Sequence, residues 1–451
     1  MLAELLKPMI EEAIQNKNFR ALREGLVEIP AQDLAEMLGD LEEPSRSIVF
    51  RLLPRQLMTE VFEFLSFEIQ EELLETLSHG TSQYLLENMS PDDRTHLLEE
   101  LPAQATKKLL RLLSPEERRI ATTLLFYPEE SVGRMMTPEL IELNFGKTAA
   151  QALEKIRRFG LDKETIYSCY VVDDDGNLMG VVSLKDLVLA DPDERIVNLM
   201  DRNIIKVEPT VDREEAIHLS QKYDLLAIPV VDMDGKLLGI VTIDDIMDVK
   251  DEEVTEDIHL MAGVVPSEIA YLKVSPFQMV WRRGIWLFIL LIAETITGSV
   301  IKNYEGFMRG ENIWLAFFIP MLIATGGNTG SQSAMMVIRA LAIGELTVKD
   351  FLRAFLKEFW TGILLALALC PVMFLIASVL QMNPVHSIIV AASLSLIVTV
   401  ANVLGTMLPL LFKALKLDPA LMSGPFISTL MDITGIFIYF NIAMYISGKL
   451  G

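Results

Sequence analysis

GIWLFILLIAETITGSVI, residues 284–301, holds one ionisable group, Glu294, in eighteen residues. A run this long and apolar reads as a membrane-spanning helix. SLSLIVTVANVLGTMLPLLF, residues 393–412, is a second. Working outward gives five spans, at about 284–303, 312–338, 358–380, 386–412 and 420–447. The flanking bases orient them. With the N-terminus inside, Arg282, Arg283, Arg339, Lys349, Arg353, Lys357, Lys413 and Lys416 fall on the cytoplasmic side, and Lys302, Arg309 and Lys449 outside. This predicts a multi-pass protein of the plasma membrane with cytoplasmic N-terminal domains and an extracytoplasmic C-terminus. An odd number of spans leaves no internal inverted pair, so a pore is expected between subunits.

Ionisable groups inside spans are costly and usually functional. Asp432, in ISTLMDITGIFIYF, is the clearest, with small or helix-loosening neighbours Pro425, Thr429, Thr434 and Gly435. The second span carries GGNTGSQS (326–333), whose Asn328 and Gln332 put two amides on one helix face. Asn402 adds a third amide. Glu294 has two readings, lining a pore or reaching back to the interface. Carboxylate and amide oxygens, with no sulfur or imidazole beside them, suit a hard cation. Mg²⁺ sheds water reluctantly and would pass such groups hydrated.

The soluble part is of another kind. Residues 1–280 hold 54 Asp and Glu against 28 Lys and Arg, and residues 281–451 hold 8 against 11. So acidic a body repels nucleic acid and attracts cations. The first 135 residues repeat at a step of 24, with LEEPSR from Leu41, LSFEIQ from Leu65, MSPDDR from Met89 and LSPEER from Leu113 in register. Each unit has a capped helix start, an apolar run, a Leu-Pro break and a second short helix. Such units bury their apolar faces only by stacking, which predicts an α-helical solenoid.

A longer repeat follows. VVDDDGNLMGVVSLKDLVLA from Val171 echoes VVDMDGKLLGIVTIDDIMDV from Val230. Asp-Gly turns between β-branched runs predict hairpins, and Ser183-x-x-Asp186 and Thr242-x-x-Asp245 predict helix caps. The copies resemble a tandem pair of CBS domains, which bind adenine nucleotides, bind metals or simply dimerise. Beyond them DDIMDVKDEEVTEDIHLMAGVV (244–265) predicts one acidic helix lasting to Gly263, with carboxylates at three- and four-residue steps.

The order of these parts, with GGNTGSQS, EEVTEDIHLMAG, ANVLGTMLP and LMDITG, resembles the MgtE family of magnesium channels or transporters over essentially the whole chain. The expected fold is thus multidomain. It comprises an α-helical solenoid (1–133), an α/β tandem CBS pair (134–196 and 197–246), a long acidic connecting helix (247–280) and an all-α membrane domain of five transmembrane helices (281–451).

The resemblance implies a homodimer in the bilayer that takes up Mg²⁺, with passage of other divalent cations left open. It implies that cytosolic Mg²⁺ closes the pore. Asp432 would be the selectivity carboxylate, with Asn328 near the pore. Asp245, Asp248, Glu253, Glu256 and Asp257 would bind regulatory Mg²⁺, as would Asp212, Glu214 and Asp224. Asp92 and Asp93 would supply the facing acids. Lys185 and Asp186 fall where some members bind ATP; a ribose contact for Asp186 and Asp245 stands beside the plain reading as caps. Ser331 stands where the family often has Asn, and His96 where an acid is expected. A Na⁺- or H⁺-coupled carrier and a nucleotide-gated transporter are the alternatives. An enzyme is disfavoured, since no HExxH, Ser-His-Asp set or P-loop is present and the two cysteines make no disulfide framework.

Overall fold

The computed structural model describes residues 2–267, 271, 274–380 and 382–450, and the side chains of these except 2–7, 11 and 448–450. Residues 268–270, 272 and 273 of the expected connecting segment, and the Lys449 side chain, lie outside the described ones. The chain divides into two compact units, Met1–Lys250 and Asp251–Gly451.

The first unit opens with ten helices, α1–α10: Leu2–Gln15, Phe19–Leu26, Ala31–Asp40, Ser45–Leu52, Arg55–Glu63, Phe67–Thr76, His79–Asn88, Pro91–Glu100, Ala103–Leu110 and Pro115–Leu124. The 24-residue step appears in the caps. Ser66, Ser90 and Ser114 precede α6, α8 and α10, while Pro30, Pro54, Ser78 and Pro102 precede the odd-numbered helices between. A side-chain clasp repeats too. Arg46, Gln70, Arg94 and Arg118 each donate to the carbonyl eight residues back, on Leu38 (3.0 Å), Phe62 (2.7 Å), Leu86 (2.9 Å) and Leu110 (2.7 Å). Each clasp satisfies a carbonyl left open where the preceding helix ends. One apolar core runs through the stack from Ile10 to Ala121.

Two βα units follow: β1 (Ile141–Asn144), α11 (Ala149–Phe159), β2 (Ser168–Val172), β3 (Leu178–Ser183), α12 (Leu184–Leu189) and α13 (Ile196–Leu199), then α14 (Arg213–Tyr223), β4 (Ala227–Val231) and β5 (Leu237–Thr242). β1 pairs with β2 in parallel; β2–β3 and β4–β5 are antiparallel hairpins with register shifts at matching points, Val171/Val172 and Val230/Val231. Asp173 and Asp232 accept backbone N–H groups across the turns, and Gly176 and Gly235 both have φ of 88°. The hairpins meet turn to turn, Leu178 N donating to the Gly235 carbonyl (3.0 Å) and Leu237 N to that of Gly176 (3.1 Å). Gly180 and Gly239 admit a crossing segment, since a Cβ there would lie 2.7 Å from Met200 Sδ and from the Thr137 carbonyl, respectively.

The acidic helix α15 spans Ile243–Met261, shorter than the segment expected over 247–280. Its end is a Schellman turn: Val264 N donates to the His259 carbonyl and Gly263 N to that of Leu260, with Gly263 at φ of 69°. Among the described residues five helices are long and apolar enough to cross a membrane. They are α16 (Pro276–Asn303), α17 (Leu315–Ala342), α18 (Phe351–Val379), α19 (Pro384–Ala414) and α20 (Gly424–Leu450). α16 and α18 begin several residues before the apolar runs read from the sequence, and α17 and α19 end beyond them. In the second unit Leu260 of α15 shares the buried core of these helices.

Candidate functional site

The first unit gathers carboxyls. Ser90 caps α8 by accepting from Asp93 N (3.4 Å), which sets Asp92 and Asp93 in its first turn. Thr242 and Asp245 bond to each other at the start of α15, so Asp245 is the helix cap its spacing predicted. These two turns face one another. Burial, then the Asp92 charge, drives the Asp245 carboxyl well above the usual range, and burial with Asp93 and Glu164 does the same to Asp92. Asp93 is raised by burial and by Asp248 and Asp244. Glu164 and Glu63 are each pushed to about 7 by burial and by the carboxylates facing them. Asp92 is 7% exposed, and its Oδ1 finds no hydrogen-bond partner among the described residues.

The donors are all hard oxygens, as Mg²⁺ and Ca²⁺ require. Among the described residues no three acidic, His or Cys groups converge tightly enough to hold a bare ion. Carboxylates spaced more widely than that can meet a hard cation only through the water it keeps.

The other expected regulatory acids divide. Asp212 and Glu214 stand at the start of α14, Asp212 accepting from Glu214 N (2.9 Å), and Asp224 ends the helix in a left-handed conformation. Eleven residues of helix span ~16 Å, so one chain does not bring these three together. In the second unit Asp257 is pushed to about 6 by burial and by Asp418 and Glu253, opposed by Lys413. Glu253 and Glu256 lie on the same helix, half-buried, and Asp248, in the first unit's part of α15, is exposed. Lys185 and Asp186 are exposed on α12, and Asp186 accepts a hydrogen bond from Ser183 Oγ (2.6 Å) as a cap.

In the membrane unit Asp432 on α20 and Glu294 on α16 are both half-buried. Asn328 and Gln332 share the exposed side of α17, one turn apart. The opposite side carries Gly326 and Gly330, where a Cβ would lie 2.7 Å from Ile397 and 2.8 Å from Ile427. Ser331 Oγ donates to the Gly424 carbonyl at the start of α20 (3.0 Å). Asn402 is 4% exposed and sits elsewhere, in a polar knot. There Ser333 Oγ lies 2.7 Å from Thr406 Oγ1, 3.1 Å from the Asn402 carbonyl oxygen and 3.3 Å from Glu358 Oε2.

Glu63, Glu164, Asp244, Glu358 and Asp418 were not singled out from the sequence. Asp244 adjoins Asp245 in an acidic run and Asp418 precedes a proline, which are weak signals. Glu63, Glu164 and Glu358 carry none.

Family models match three stretches: a divalent cation transporter model, MgtE, over residues 319–442; the MgtE intracellular N domain over 29–130; and CBS domains over 132–193 and 196–252. The magnesium transporter MgtE of Thermus thermophilus is 40% identical over 98% of both chains. That of Bacillus subtilis is 37% identical over 74% of this chain and 73% of its own. A solved structure, the cytosolic domain of the Mg²⁺ channel MgtE in complex with ATP, is 41% identical with a TM-score of 0.51, covering 53% of this chain and 98% of that one. These likenesses and the five apolar helices make this a multi-pass membrane protein with a cytosolic N-terminal part. The chain belongs to the MgtE family of magnesium transporters.

Proposed function

We propose that this chain, as a homodimer with its C-terminus outside, carries Mg²⁺ into the cytosol along a path past Asp432, and that cytosolic Mg²⁺ closes that path. The observation that carries the reading is the apposition of buried Asp92 and half-buried Asp93 to Asp245, with Asp244 and Glu164 beside them at the surface. Without cations, so many like charges drive α8 and the start of α15 apart. Hydrated Mg²⁺ between them selects the compact arrangement, and several weak sites filling together make closure steep in concentration. α15 carries Asp245 at its start, and near its end Leu260 joins the core of the membrane helices. Gly263 then lies against Ser423 and Pro425, at the head of the helix bearing Asp432. A shift of α15 would therefore reach the pore helix directly. Asp212, Glu214, Asp224, Glu253, Glu256 and Asp257 would add further weak sites.

The test is Mg²⁺ flux into liposomes at a set membrane potential. Asp432→Ala should abolish selective flux while the protein still elutes as the folded dimer; unchanged selectivity removes Asp432 from the path. Digestion of the detergent-purified protein should slow in millimolar Mg²⁺, and equal cleavage with and without it defeats the gating scheme. The ATP complex of the related cytosolic domain supports a second ligand, an adenine nucleotide near Lys185 and Asp186. Calorimetry with ATP and AMP checks it.

A further inference from the structure

α16 packs against α20 along one stripe. Thr297 is the buried residue of that stripe, at 6% exposure, and half-buried Glu294, Ile301 and Tyr304 continue it at helical spacing. Ile292, Ile296 and Ser299, on the other sides of the helix, are exposed. A hydroxyl inside an apolar helix ordinarily closes on the carbonyl one turn back. Thr295 and Ser299 do so, on Ile292 (2.6 Å) and Thr295 (2.8 Å), as do Thr325 and Thr329 on α17 and Thr434 on α20. Thr297 does not: its Oγ1 is buried with no hydrogen-bond partner among the described residues. A buried hydroxyl left open is costly, and valine would fill the same space without that cost.

Tyr304 fixes what lies opposite. Its ring stacks on Phe440, with 4.6 Å between centroids and 19° between planes, and its hydroxyl oxygen accepts from Asn441 Nδ2 (3.0 Å). As the first and fifth of five consecutive spans, α16 and α20 run in the same direction. Seven residues back from the two stacked rings stand Thr297 and Ile433, the neighbour of Asp432. Both helices rise equally per residue, so Thr297 lies at the depth of Asp432, with Glu294 about one turn before it. A hydrated cation turns its water hydrogens outward, so the groups that meet it must accept. A hydroxyl oxygen does this while its own proton goes to a carboxylate. We infer that Thr297 is a specificity-determining residue of the ion path, its hydroxyl accepting from a hydration water of Mg²⁺ as the ion passes Asp432. The inference rests on the reading that the path runs past Asp432. Mg²⁺ keeps its water where the larger Ca²⁺ exchanges it for protein oxygens, so an acceptor for held water favours Mg²⁺.

The experiment compares Mg²⁺ and Ca²⁺ flux into liposomes for the full-length parent and single variants. Thr297→Val keeps the shape and removes the acceptor. It should lower the ratio of Mg²⁺ to Ca²⁺ flux about tenfold, as the loss of one hydrogen bond to a charged complex predicts. Thr297→Ser keeps the hydroxyl and should stay within about twofold of the parent. Thr295→Val, which removes a hydroxyl closed on its own helix, should match the parent. Thr297→Ala makes the same test if the valine variant does not fold. A parent-like ratio in Thr297→Val overturns the inference, because a threonine that only packs predicts that result. So does an equal fall in both fluxes, or the same loss in the serine variant, either of which marks damaged packing. Asp432→Ala separates the two readings. If its selectivity is intact, the path lies elsewhere and the role of Thr297 falls with it. If its selectivity is lost while Thr297→Val behaves as the parent, the role of Thr297 alone falls.

Discussion

Asp92, in the first turn of α8, and Asp245, in the first turn of α15, face one another with their carboxyls mutually opposed, the first buried and the second half-buried. Nothing in local helix chemistry asks for this. Each acid is well placed in its own helix, near an N-terminus that favours negative charge. The conflict arises only when the two helices face each other, and it is relieved by protons or by cations.

Asp245→Asn tests the relation directly. The asparagine Oδ1 can still accept from Thr242 N–H and Oγ1, so the helix should persist while one opposed charge disappears. In EDTA the variant should resist proteolysis better than the parent. In Mg²⁺ it should need about tenfold more ion for full protection, since charge count tunes affinity at such sites. Parent-like protection in both conditions would show that the pair does not sense the ion.

The same cluster fixes a pH dependence. Glu63 and Glu164 titrate at about 7 in the folded unit, from an ordinary 4.5, and Asp92 and Asp245 are raised further. The folded state then binds more protons than the unfolded chain through this window. Its stability must fall as pH rises from the ordinary carboxylate range through 7 and 8. A fragment of residues 1–262 in EDTA, melted by circular dichroism, should lose melting temperature across that window and regain it in millimolar Mg²⁺. A flat profile would show that the carboxyls do not meet in solution.

The solenoid offers a contrast between two substitutions at one site. Arg94 is fully buried, clasping the Leu86 carbonyl and pairing with Glu117 (2.5 Å). One repeat earlier the same clasp is made by Gln70. Arg94→Gln should therefore keep the carbonyl bond and cost about 1–2 kcal/mol, whereas Arg94→Leu strands both acceptors and should cost about 3–5 kcal/mol. Urea unfolding of the same fragment measures the two, and equal losses would show that the repeat does not tolerate its own alternative.

What the sequence disclosed and withheld follows from range. Caps at Ser90 and Ser114, the Asp-Gly turns and the stop at Gly263 are local chemistry, written within a few residues. Spans show as apolar runs, but a run says nothing of its rotation. Asn402 reads as a pore amide from the sequence; in the fold its side chain is buried beside Gly362 of α18, while its backbone carbonyl joins the Ser333 knot. Glu63, Glu164 and Glu358 stand in no motif, and only tertiary contact gives them charged or polar company.

Gly405 is the sharpest measure of that packing. A Cβ there would lie 2.3 Å from the Gly330 carbonyl oxygen and 3.1 Å from Ser333 Cβ. At Gly284, also inside a membrane helix, a Cβ meets nothing within 4 Å. Alanine at either position gains about 1 kcal/mol of helix propensity. At Gly405 the methyl also pushes backbone against backbone and pries open the Ser333–Thr406 contact, an overpacking cost of about 1–3 kcal/mol or more. Gly284→Ala should hold or raise the melting temperature in detergent, and Gly405→Ala should lower it, followed by the fluorescence of buried Trp314. Equal effects would mean that α17 and α19 do not approach through these glycines, and the rotation assigned to both helices would have to change.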